Sequence, residues 1–150
     1  MPYVAGMTRI TPITRILLGL TFTVFALNYF FPFLPQPEEE LSPTAAMFLG
    51  GFVGSGYLTL VKTFELTAGL ALVAGVFVPL ALAVLAPIIV GILAFHLLLV
   101  PGIGLPLGVL ALELYLAWAY RDAFAPMLRA KVAPRRAPTP APVVELRSAA

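Results

Sequence analysis

Apolar residues fill this chain in long blocks, separated by short stretches that are polar or rich in proline and glycine. The first block runs from about Ile13 to Leu34 and is followed by the acidic, proline-containing stretch Gln36 to Pro43. From Thr44 to Val100 the chain is apolar almost without a break, and a last block covers about Leu105 to Tyr120. A helix needs ~20 mostly apolar residues to cross ~30 Å of hydrocarbon. The pattern therefore predicts spans at about Ile13–Leu34, Tyr57–Phe77, Leu80–Val100 and Leu105–Tyr120. Ser42 as a cap and Pro43 at a first helical position predict a short helix over Pro43–Phe52, lying near the outer surface. Pro101-Gly102-Ile103-Gly104-Leu105-Pro106 predicts a tight external turn. The expected fold class is all-α: an integral membrane four-helix transmembrane bundle with a short outer interfacial helix.

Charge sets the orientation. Eight of the nine basic residues lie at the two ends, Arg9 and Arg15 before the first block and Arg121, Arg129, Lys131, Arg135, Arg136 and Arg147 after the last. Basic flanks stay on the cytoplasmic side, so both termini are expected there. A fifth span over Thr44–Leu60 would put the C-terminal basic cluster outside, against that bias. A cleaved signal peptide is the rival reading of the first block. The block is longer than the ~7–15 residues of a signal h-region, and it ends in Phe30-Phe31-Pro32-Phe33 with no small-residue cleavage site. Tyr29, Phe30 and Phe31, then Tyr57, then Trp118 and Tyr120 fall where interfacial aromatics belong. Residues 1–128 are thus expected to form the bundle. Residues 129–150, basic and rich in proline and alanine, are expected to form a disordered cytoplasmic tail.

Composition agrees. The chain of 150 residues is 61% apolar and 11% charged, against ~45–50% and ~25% in a soluble domain. It has no cysteine, which removes thiolate nucleophiles, disulfide exchange, iron–sulfur clusters and zinc–thiolate sites. A net charge of +2, carried by span flanks and interspersed with proline, is no nucleic-acid signal.

Ionisable groups inside spans cost roughly 2.5–3.5 kcal/mol each on insertion scales and are functional-site hypotheses by default. Lys62, Glu65, His96 and Glu113 are such groups, joined by the amide of Asn28. At ~1.5 Å rise per residue, Asn28, Lys62, Glu65, His96 and Glu113 lie ~9, ~8, ~12, ~6 and ~12 Å inside the outer ends of their spans. The expectation is one polar level in the outer leaflet, fed by every helix. Lys62 and Glu65, three apart, share a face with Gly69, which would let a neighbouring backbone come close. His96 and Glu113 are then the natural second pair. The same network can be polar glue between helices. Two carboxylates and an imidazole could hold a metal, but no His-x-x-x-His spacing is present, and no metal is expected. Arg15 and Lys62 can both snorkel toward headgroups. Pro87 predicts a kink. Gly50-x-x-x-Gly54 and Gly104-x-x-x-Gly108 are weak packing motifs.

Arg15-Ile16-Leu17-Leu18-Gly19-Leu20, Ser55-Gly56-Tyr57, Lys62-Thr63-Phe64-Glu65-Leu66-x-x-Gly69, Leu85-Ala86-Pro87, Ala94-Phe95-His96-Leu97 and the run Leu112 to Phe124 resemble the DoxX-like membrane proteins. The resemblance covers roughly Thr14 to Leu128. It implies four transmembrane helices in a bacterial inner membrane and a small subunit linked to quinone-dependent thiosulfate or quinol oxidation. It also marks Glu65, His96 and Glu113, and less directly Asn28 and Lys62, as ligand-binding or proton-exchange positions. With one histidine and no cysteine the chain supplies neither bis-histidine haem ligation nor a dithiol. It carries no intrinsic cofactor, so a redox role needs a bound quinone or a partner subunit. The expectation is a membrane subunit binding a quinone-like lipophilic molecule. The alternatives are a non-catalytic accessory or assembly subunit of a larger membrane complex, and a small proton-coupled carrier, which the lack of inverted repeats disfavours.

Overall fold

The computed structural model describes residues 3–35 and 41–131, with side chains from residue 10 onward. Glu38 to Glu40, the Arg9 side chain and the tail after Lys131 lie outside the described residues. Every regular element among the described residues is helical: α1 (Tyr3–Phe30), α2 (Pro43–Gly54), α3 (Tyr57–Ala74), α4 (Val78–Leu98), α5 (Gly104–Ala119) and the short α6 (Arg121–Phe124). Three segments, Ile10–Phe30, Tyr57–Ala74 and Val78–Leu98, are long and apolar enough to cross a membrane. Only 22 to 28% of each of these windows is buried inside the molecule. Their outward faces are therefore as apolar as their inward ones, which water would not tolerate and lipid would. α5 shares the apolar composition but has 16 residues, about 24 Å, short of the ~30 Å core.

The helix ends follow local chemistry that the apolar blocks do not report. α1 stops at Phe30, four residues before the block does, because Asn28 Oδ1 accepts the backbone N–H groups of Phe33 at 3.0 Å and Leu34 at 2.7 Å. That bond turns the chain out of the helix. α2 begins as expected: Ser42 Oγ accepts from the Ala45 N–H at 3.2 Å, and Pro43 takes the first position. It continues to Gly54, two residues beyond the expected end. α3 closes at Gly75 rather than at Phe77. Gly75 sits at φ +77° and returns its N–H to Ala71 and Leu72, a left-handed cap that glycine adopts without steric cost. α4 carries Pro87 in its interior without ending there.

α1 packs on α3 and α5, and α4 packs on the same two, so these four helices close a ring, with α2 against the outside of α3. The core inside the ring is Leu18, Phe22, Leu72, Leu82, Leu85, Ile89 and Leu116. Three α1–α3 contacts descend in step: Arg15 with Leu72, Gly19 with Gly69, and Tyr29 with Thr59. The two helices are antiparallel. They cross where both side chains are absent. A Cβ on Gly69 would sit 2.9 Å from the Gly19 carbonyl oxygen, and one on Gly19 would sit 2.8 Å from that of Gly69. The expectation for Gly69 is met, and Gly19 is its partner. By contrast nothing lies within 4 Å of the corresponding positions on Gly50, Gly54, Gly104 or Gly108. Those two spaced pairs pack against nothing among the described residues.

Arg15 does not simply reach for headgroups. Its Nη1 donates to the Leu72 carbonyl oxygen at 2.7 Å, and its guanidinium lies against Gly75, where any side chain would collide with it. A cation thus rests on the C-terminal end of α3, whose dipole favours it. The interaction joins a charge expected from the sequence to flank a span to a helix cap that only the tertiary structure reveals.

Candidate functional site

Three of the five sequence candidates meet. On α3, Lys62 and Glu65 are separated by one helical turn, and Lys62 Nζ lies 2.7 Å from Glu65 Oε2. The carboxylate side chain is 3% exposed and the lysine 19%. This is the one ion pair among the described residues. Burying either charge alone would be expensive, and the pair forms because the turn geometry lets each neutralise the other. His96 approaches from α4. Its Nδ1 is 2.9 Å from the carbonyl oxygen of Ile92, one turn back on the same helix.

Lys62, Glu65, His96 and Ile92 line two cavities at once, so they form a partition between them. The inner cavity, about 320 Å³, lies within the ring. α1 contributes Thr21, Phe22 and Phe25, α4 adds Ile89, and α5 adds Leu105, Pro106 and Val109. The outer cavity, about 750 Å³, is a cleft between α2, α3 and α4. Its wall is aromatic: Phe48 and Phe52 stack at 5.5 Å between centroids, Phe48 meets Phe95 at 5.7 Å, and Phe52 meets Tyr57 at 5.2 Å. Pro87 and Gly91 form part of the opposite side. Small residues and a proline leave room there that branched side chains would fill. Sequence reading had assigned α2 only to the surface. It missed Phe48 and Phe52 as site residues because nothing local marks them apart from interfacial aromatics.

The other two candidates stand elsewhere. Asn28 is buried, and its carbonyl oxygen is spent on the turn after α1. Glu113 is 5% exposed and faces into the ring between Val109 and Leu116, and its Oε2 has no hydrogen-bond partner among the described residues. His96 and Glu113 do not pair. The reason is register. Thr11 on α1 hydrogen-bonds Tyr115 on α5 through their hydroxyls at 3.1 Å, which sets Glu113 near residue 13 of α1. The α1–α3 contacts set Glu65 near Phe22. The two residues are therefore offset by roughly 14 Å along α1. α5 begins at the height of Glu65, where Leu105 and Pro106 line the inner cavity, so counting from its own outer end overstates how high Glu113 lies. The single polar level expected from the sequence divides into a partition and a deeper, isolated carboxyl. Thr23 Oγ1 is a second buried polar atom without a partner among the described residues, held against Gly69 at the crossing.

Chemically, the partition offers an ammonium, a carboxylate and an imidazole to any molecule in either cavity. Among the described residues no group of three His, Cys, Asp or Glu side chains converges as a metal site. Comparison with protein-family profiles, with characterised proteins and with solved structures finds no match to this chain.

Proposed function

We propose that the chain is a DoxX-like integral membrane subunit that binds a quinone-like lipophilic molecule at the Lys62–Glu65–His96 partition and serves a redox-linked membrane complex. In this reading α1, α3, α4 and α5 all cross a bacterial inner membrane with both termini cytoplasmic. The loop to α6 extends the short α5 at its inner end, where Arg121 lies 5.1 Å over the Trp118 ring and donates to the Trp118 carbonyl at 3.1 Å. Cationic and aromatic groups at that end suit an interface.

One observation carries the proposal: a half-buried polar partition, with Glu65 buried at its centre, flanked by two apolar cavities of about 320 and 750 Å³. Ligand sites are usually apolar spaces of ~300–1,000 Å³ with few, convergent polar groups. Purely structural polar glue would be collapsed against its neighbours instead. A ring head fits beside the partition, an isoprenoid or alkyl tail fits the cleft beneath α2, and Glu65 and His96 are within reach of the head as proton-exchanging groups.

Native mass spectrometry of gently solubilised protein, with organic extraction of what it carries, tests this. The wild type is expected to retain a quinone, held in its hydroxyl-bearing reduced form, that Glu65→Gln and His96→Ala lose while remaining folded. A protein that carries no small molecule but holds a protein partner indifferent to both substitutions is an accessory subunit, and the proposal fails.

A further inference from the structure

We infer that His96 is the specificity determinant of this site, selecting a ring head that carries a hydroxyl group over the same ring without one. The inference rests on the ligand-binding reading above and sharpens it.

His96 Nδ1 faces the Ile92 carbonyl oxygen at 2.9 Å. A carbonyl oxygen only accepts, so Nδ1 carries the hydrogen of that bond. In the neutral ring Nε2 is then a bare acceptor. No described residue hydrogen-bonds to Nε2, and the side chain lines both cavities. Glu65 adds a second acceptor. Lys62 spends one N–H on Glu65 Oε2 at 2.7 Å and keeps others. The partition thus presents one donor and two acceptors to an occupant.

A bare ring carbonyl has lone pairs only. It can satisfy Lys62 but leaves Nε2 facing aromatic and aliphatic walls with no partner, which a buried polar atom resists. A phenolic hydroxyl serves both, accepting from Lys62 through its oxygen and donating its hydrogen to Nε2. The stacked Phe48 and Phe52 rings with Phe95 favour an aromatic carrier of that hydroxyl over an aliphatic one. Such a head occurs in two sources, a lipophilic hydroquinone and a long-chain monophenol. Both present the same bond to His96.

Equilibrium binding to the detergent-solubilised full chain under anaerobic conditions separates the possibilities. The probes are two matched pairs, 4-decylphenol with 4-decylanisole and decylubiquinol with decylubiquinone. The hydroxyl member of each pair is expected to bind about ten-fold tighter, the scale of one net hydrogen bond. His96→Ala should remove that preference, so that the phenol and the anisole bind the variant with equal affinity. Equal affinities within both pairs on the wild-type protein overturn the role of His96, yet leave a quinone site standing. A preference in the phenol pair alone keeps His96 as the determinant and makes a monophenol the occupant in place of the quinone. Failure of all four probes to bind removes this inference and the proposed function together. A preference undiminished in His96→Ala would assign the hydroxyl to Glu65 and overturn the role of His96, and His96→Gln, which keeps a side-chain acceptor there, serves if the alanine variant does not fold.

Discussion

Gly69→Ala is expected to destabilise the protein by about 2–3 kcal/mol, seen as a lower melting temperature in detergent, although it adds a single methyl group. The new Cβ would lie 2.7 Å from Thr23 Oγ1, 2.9 Å from the Gly19 carbonyl oxygen and 3.0 Å from the Thr23 nitrogen. Two of these three atoms are backbone and cannot swing aside. α1 and α3 must therefore separate, and the separation propagates to both cavities, because Phe22 and Glu65 flank the crossing. Gly108→Ala is the matched control. It also sits in a helix, yet its Cβ would meet nothing within 4 Å, so it should be neutral or stabilising by up to ~1 kcal/mol. A Gly69→Ala protein as stable as the wild type would contradict the close crossing.

Glu65→Ala should cost about 3 kcal/mol, at the lower end for breaking a buried ion pair, since the 19%-exposed Lys62 has some freedom to snorkel outward. The informative comparison is the double variant Lys62→Met/Glu65→Leu. Replacing a buried pair by apolar residues of similar volume is often close to neutral. The double variant is thus expected to recover wild-type stability to within about 1 kcal/mol while losing the bound molecule. Stability and binding then part company, which polar glue alone would not produce. A double variant that stays stable and still binds would leave the ion pair without a role at the site.

The sequence discloses the helices well because apolar blocks long enough to cross a bilayer leave few readings. It discloses their ends less well. The bond from Asn28 that ends α1 and the left-handed glycine that ends α3 act on single residues, within blocks whose composition does not change. The Lys62–Glu65 pair was legible because both residues lie on one helix turn. Whether His96 belonged with them or with Glu113 was not, since that depends on how α5 is shifted along α1. A shift of that kind is set by packing, with Thr11 against Tyr115 and Pro106 in the lining of the inner cavity. Arg15 illustrates the same limit. Its charge predicts a cytoplasmic flank, but its bond to Leu72 joins residues 57 positions apart, and no local pattern encodes it.

Photoaffinity labelling of the full chain in membranes with an azido-quinone analogue, followed by peptide mapping, tests the binding site most directly. Label is expected on residues 48–64 of α2 and α3 and 84–96 of α4, with loss of label when excess unlabelled quinone is present. Label spread over outward-facing residues such as Leu20 and Leu114, undiminished by competitor, would show the probe merely dissolved in surrounding lipid and would contradict a ligand site at Lys62, Glu65 and His96.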